Sequence, residues 1–166
     1  MFLCLAKFNN FAGMDNNYVF YKLRKIYAWD EEKIGNLFKS VEFIVSPLDI
    51  FAWMKQEQYE GFKAMPDQAL AALLNGFIVD KRGMKDGKIP EHEEKLTNNI
   101  IFRKLRIALN FKDEDIVNTL KKADIRIGKP ELNAFFRDPK HPHYRVCGDQ
   151  FLRNFLRGLQ LEGAER

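Results

Sequence analysis

Two cysteines in 166 residues, Cys4 and Cys147, are too few for a disulfide framework and stand in no Cys-x-x-Cys pair, so a reducing, cytoplasmic setting is the expectation. No apolar run approaches the roughly 20 residues that a membrane span requires. The opening MFLCLAKFNNFAG has no basic n-region, and Lys7 interrupts it before it reaches the roughly 7 to 15 apolar residues of a secretory h-region. Met14 therefore reads as the translation start and residues 1–14 as a tail. Histidine is scarce as well. Of the three, His141 and His143 stand near Cys147, but a structural zinc site wants four ligands, and His92 lies far off in sequence. No metal is expected. No nucleophile and base stand in a recognisable pattern either: Cys147, before Gly148-Asp149, is of the burial-prone kind. A non-enzyme without a cofactor or small-molecule substrate is expected.

What the chain does contain is itself, twice. NNYVFYKLRKI at 16–26 returns as NNIIFRKLRIA at 98–108, and a constant offset of 82 aligns 15–79 with 97–161 without a gap. Sixteen of the 65 pairs are identical, among them Asn16/Asn98, Asn17/Asn99, Lys22/Lys104, Arg24/Arg106, Asp67/Asp149 and Gly76/Gly158. Gap-free self-similarity at a fixed period marks duplicated structural units. The expected organisation is repeat one at 15–79, a linker at 80–96 that includes the end of the fourth helix, repeat two at 97–161 and a tail at 162–166. The two repeats should be related by a pseudo-twofold axis or a simple translation. One unit of about 65 residues would bury only about 60% of its unfolded surface, so the two should pack together.

Each unit reads as helical throughout. Val19, Phe20, Leu23, Ile26 and Tyr27 recur at amphipathic-helix spacing, with Asn16 or Asn17 as a suitable N-cap. Asp30-Glu31-Glu32 opens a second helix whose apolar face is Ile34, Leu37 and Phe38. SPLDIFAWMK starts a third at its proline, with Ile50, Phe51, Trp53 and Met54 inward. PDQALAALLNGFIVDKRG forms a fourth with one apolar stripe, stopped by Gly83. The only Asp-Gly turn, Asp86-Gly87, lies between the repeats, so strand signals are nearly absent. An all-α protein of about eight helices, two tandem repeats of four, is predicted. The Gly-, Pro- and charge-rich GMKDGKIPEHEEK between them reads as an exposed linker.

NNIIFRKLRIALNFKDEDI, LNGFIVDKRG followed by KDG and Pro, and CGDQFLRNFLRGLQL resemble the YehS-like family of small bacterial cytosolic proteins, a tandem domain of unknown function. The resemblance spans residues 14–161. It implies a duplicated all-α cytosolic protein and brings no catalytic residues. Copy one departs from the pattern at Met65-Pro66, where the family often has Cys.

Charge separates the copies. Repeat one holds 7 Lys and Arg against 9 Asp and Glu, net −2; repeat two holds 13 against 7, net +6. A basic repeat can neutralise phosphates, so a binding or regulatory protein is expected, with nucleic acid or an acidic protein as its partner; the alternatives are a protein-interaction adaptor whose surface lies between the copies and, third, an undetected enzyme. Arg153 and Arg157 lie one turn apart on the last helix, opposite its apolar stripe, where copy one has Ala71 and Asn75. With Lys140, Tyr144 and Arg145 from the preceding loop they would form one continuous basic and aromatic surface for nucleic acid. The polar residues shared by both copies, Asn17, Lys22, Arg24 and Asp67 with Asn99, Lys104, Arg106 and Asp149, read as structural. Asn and Asp would cap helices, and an Arg24/Asp67-type pair would bridge them.

Overall fold

The computed structural model describes residues 14–164, and within them every regular element is helical. Repeat one contributes α1 (Asn16–Tyr27), α2 (Glu31–Ser40), α3 (Pro47–Met54) and α4 (Asp67–Arg82); repeat two contributes α5 (Asn98–Leu109), α6 (Asp113–Lys122), α7 (Lys129–Ala134) and α8 (Asp149–Ala164). Seven of the eight bounds in each repeat recur at the offset of 82; only the third helix ends earlier in the second copy. The starts have local causes. Ser46 accepts from the Asp49 amide ahead of Pro47, and Asp30 accepts from the Lys33 amide at 2.7 Å. The chain turns out of α1 and α5 through left-handed Ala28 and Asn110, which stand at the same repeat position.

Helix four is where the packing concentrates. In each repeat it lies against helix two, at a glycine: a Cβ added to Gly76 would stand 2.2 Å from the Leu37 carbonyl oxygen, and one on Gly158 would stand 2.2 Å from that of Thr119. Leu37 and Thr119 are themselves repeat equivalents. Glycine therefore recurs at this position because two helix backbones meet there. The opposite side of α4 packs on α5, so α4 is buried at every residue from Ala69 to Phe77 instead of along one stripe. The two surfaces of α4 could not be told apart by periodicity, since Ala71, Ala72 and Asn75 are small enough to sit between helices.

The α4–α5 contact between repeats has a counterpart. At the same offset, α8 packs on α1. A simple translation would leave α8 without α1, whereas a twofold relation brings the fourth helix of each repeat to the first helix of the other. The two seams close the molecule around one core, in which Phe20, Leu23, Leu70, Leu74, Phe102, Leu105, Leu152 and Leu156 are all buried. Phe102 gathers Phe135, Phe136, Phe151 and Phe155 around its ring.

Two expectations change. Phe51 is 43% exposed, and Ala52 takes the inward position on α3. The linker is not a free exposed strand: Ile89, Pro90, His92, Glu93 and Leu96 are partly buried, and Ile89 and Leu96 rest on the core. Its polar composition concealed this, because the linker is held by hydrogen bonds and an ion pair more than by apolar periodicity.

Gly76→Ala and Gly158→Ala should each cost about 1–3 kcal/mol or more, since overpacking at a backbone contact cannot be relieved by a rotamer change. Gly35→Ala, where an added Cβ meets nothing within 4 Å, should be neutral or slightly stabilising. Urea unfolding followed by circular dichroism reads the difference.

Candidate functional site

The polar residues shared by both repeats sort into ties within each repeat. Asn17 is buried; its amide donates to the Trp53 and Lys63 carbonyls, both at 2.9 Å, and its oxygen accepts from the Met65 amide at 2.8 Å. Asn99 repeats the arrangement with Phe135 at 2.9 Å, Arg145 at 2.8 Å and Cys147 at 2.9 Å. These asparagines pin the loop between helices three and four onto helix one. They are not N-caps: Asp15 and Thr97, one position before each helix, do that work. Asp67 and Asp149 accept instead from Asn16 at 2.6 Å and Asn98 at 2.8 Å, and Asp67 also takes the Leu96 amide at 2.9 Å. The expected Arg24/Asp67 pairing does not form. Arg106 bonds Asp113 at 2.8 Å across a turn and lies over the Phe136 ring, whereas the buried Nε of Arg24 has no hydrogen-bond partner among the described residues.

The shared lysines lie at the two seams, and here the repeats part. At the α4–α5 seam Lys104 is buried, only 7% exposed; its ammonium donates to Asn75 Oδ1 at 2.6 Å and forms an ion pair with Glu93 Oε2 at 2.9 Å. A buried cation needs such partners, because desolvation alone would cost several kcal/mol. The linker supplies the carboxylate. It also covers the seam: the amide nitrogen of Asn75 meets the Glu91 carbonyl and His92 Nδ1, both at 2.9 Å, while His92 Nε2 is 3.2 Å from the Val41 carbonyl. The imidazole thus donates from Nε2 to Val41 and accepts from Asn75 at Nδ1.

At the α1–α8 seam the same positions carry different charges. Lys22 stands in the place of Lys104, Arg157 in that of Asn75, Arg153 in that of Ala71 and Gln160 in that of Ile78. Lys22 donates to Gln160 at 3.0 Å, and the Arg153 guanidinium lies 4.6 Å from the centre of the Tyr18 ring. Among the described residues no carboxylate pairs with Lys22, Arg153 or Arg157. The Lys22 ammonium is pushed below its ordinary pKa by partial burial first, then by the charges of Lys25, Arg153 and Arg157. Burial raises the Tyr18 phenol, an effect that Arg153 opposes. Three cations converge on one seam without a counter-charge among the described residues.

The five residues expected to form a single surface stand in two groups along the chain, Lys140, Tyr144 and Arg145 on the loop before α8 and Arg153 and Arg157 on α8. Arg153 and Arg157 face the α1–α8 seam, and Arg153 is half-buried on Tyr18 instead of pointing into solvent. Arg145 is turned toward α7, where it meets Glu131 at 3.3 Å and the Phe135 ring at 5.5 Å. Lys140 is exposed, Tyr144 is half-buried beside it, and both belong to the turn that Asp138 and His141 close through backbone amides. No described contact joins the groups. His141 and His143 have ring centres 5.7 Å apart, and Cys147 is buried with its thiol pushed up to about 12, chiefly by desolvation and then by Asp149. Tyr18, Asn75, Glu93 and Gln160 were missed. The one signal that could have found them is the Asn75/Arg157 exchange, which becomes telling only once those positions are known to face a helix of the other repeat.

Asn99→Ala should cost about 2 to 4 kcal/mol in urea unfolding, because it strands the Cys147 amide and two carbonyls in the interior. In a Cys4→Ser chain, iodoacetamide at pH 8 should modify Cys147 no faster than the protein unfolds. The sign follows from the raised thiol: its contribution to stability is fully present below the ordinary 9.0 and is lost as pH climbs toward about 12. Unfolding midpoints measured from pH 8 to 11 read that loss.

No described helix is long and apolar enough to cross a membrane. No solved structure matches the chain. It is 47% identical over 112 residues, 66% of its length and 71% of the relative's, to the uncharacterized protein YehS of Escherichia coli (strain K12). The family model described as a protein of unknown function (DUF1456) matches twice, at residues 16–83 and 98–163, one match to each four-helix repeat, and the chain belongs to that family.

Proposed function

We propose that the protein is a non-enzymatic binding module that takes an anionic macromolecule at the α1–α8 seam. The observation that carries this reading is the convergence of Lys22, Arg153 and Arg157 without a described carboxylate, at a seam whose counterpart is neutralised by Glu93. Electrostatic self-repulsion at a partly desolvated site is relieved by an external anion, and binding energy comes from that relief. Partial burial strengthens the effect. An exposed solubilising face would lose its charges to water, whereas Lys22 is already penalised by desolvation.

Nucleic acid and acidic protein share the required charge. The +6 of repeat two favours the first, since phosphate neutralisation releases counterions. The division of the basic residues into two separate groups favours the second.

The test is an anisotropy titration with labelled single- and double-stranded oligonucleotides and a labelled oligoglutamate, at low and moderate salt. At least one anionic probe should bind at low salt, weaken steeply as salt rises, and lose affinity in the Lys22→Glu/Arg157→Glu chain. The double reversal also removes like-charge repulsion at the seam, so the melting temperature should hold or rise, which separates lost binding from lost folding. Absence of binding by every anionic probe, or binding indifferent to the double reversal, overturns the reading.

A further inference from the structure

We infer that the ligand of the α1–α8 seam is an extended acidic segment of another protein, seated as the chain's own linker is seated on the α4–α5 seam. The inference rests on the anion-binding reading above and specifies its partner. The twofold relation brings the matching helices together at the two seams, the α1–α8 seam being the less closely packed, so the linker is an internal template of what such a groove accepts. On the covered seam, a stretch without regular structure from Pro90 to Glu94 lays its Glu91 carbonyl against the Asn75 amide and its Glu93 carboxylate on Lys104. On the α1–α8 seam, Arg157 offers guanidinium donors where Asn75 offers its amide, and Lys22 offers the ammonium where Lys104 does. Arg153 adds a cation where Ala71 has none. A backbone carbonyl and a carboxylate at the spacing of Glu91 and Glu93 would meet both sets of donors.

Charge complementarity limits the occupant. Residues 1–13 stand at the same offset from the linker, and they contain neither Asp nor Glu, with Phe11 at the position of Glu93. They cannot supply the carboxylate. A base stacking on Tyr18 would compete with Arg153, whose guanidinium lies 4.6 Å from the ring centre, which disfavours a nucleic-acid strand. The cations are also gathered at one point instead of tracking a backbone, with Arg145 held on Glu131 elsewhere.

The probe is the labelled peptide GKIPEHEEKL, residues 87–96, titrated into the full chain with amide chemical shifts and anisotropy as readouts. Shifts should move in α1 and α8 around Lys22 and Arg157 and leave Asn75 and Lys104 in place. Replacing the peptide glutamate that corresponds to Glu93 by Gln should weaken binding about tenfold, as loss of a close charge pair does, and a scrambled peptide of the same composition should weaken similarly. The Lys22→Glu chain should lose the peptide and regain one in which that glutamate is Lys; the peptide series on the unaltered chain keeps the test valid if this variant folds poorly. Equal binding of the scrambled peptide, or binding of an oligonucleotide without the peptide, overturns the inference and leaves the anion-binding reading standing. Shifts confined to Asn75 and Lys104 mean that the peptide merely displaces the linker, which also overturns it. If no anionic probe binds, both fall together.

Discussion

The backbone-to-backbone approach of helix four to helix two is the constraint on which the rest depends. With Gly76 against the Leu37 carbonyl and Gly158 against that of Thr119, helix four sits deep enough to present its other side to the opposite repeat. A side chain at either glycine would push the helix outward and move both of its faces. The core, the seams and the linker path all inherit their spacing from these two contacts, which explains why glycine stands there in both copies despite its cost within a helix. The buried asparagines add a second constraint of the same kind. Asn17 and Asn99 each satisfy two carbonyls and one amide, so an irregular loop can run beside helix one without stranded polar groups.

A twofold arrangement of two covalently joined repeats has two equivalent seams and one connection between the repeats. That connection can neutralise one seam. It does so at α4–α5, where Glu93 accompanies the buried Lys104 and Asn75 holds the linker backbone. The sequence has not compensated the other seam by removing the matching lysine. Lys22 stands there all the same, and the positions around it are more basic than their counterparts, through Arg153 and Arg157, and more polar, through Gln160.

Much of the fold was legible in the sequence because its signals are local or repeated. Apolar spacing located helices one, two and four in the first copy, proline located the third, and the constant offset carried them to the second. Arg153 shows where such reading stops. A helical wheel places it opposite the apolar stripe of its own helix, and only the packing of α8 on α1 turns that side into an interface. The same blindness hid Asn75 on α4, which reads as a polar interruption until Lys104 and the linker are placed beside it. Asn17 and Asn99 were read as caps for a related reason: N-capping is the local role of asparagine at a helix start, whereas their partners lie between 36 and 48 residues away.

A solvated basic surface would account for part of the α1–α8 seam. Arg157 and Gln160 are exposed, and charge there keeps a helix face in water. That explanation does not reach Lys22 or Arg153. Lys22 is half-buried with its ammonium driven toward the neutral form by burial and by three nearby cations, and Arg153 is half-buried across Tyr18. Solubility requires charges to be hydrated and spread out, while these are partly dehydrated and crowded. Crowding cations in a desolvated groove raises the free energy of the unliganded state, and an anion of matching geometry recovers it. The other seam shows that recovery within the same molecule, with a carboxylate from the linker 2.9 Å from the equivalent lysine. The two seams thus differ in their counter-charge: the linker supplies one at α4–α5, and no described carboxylate pairs with the cations at α1–α8.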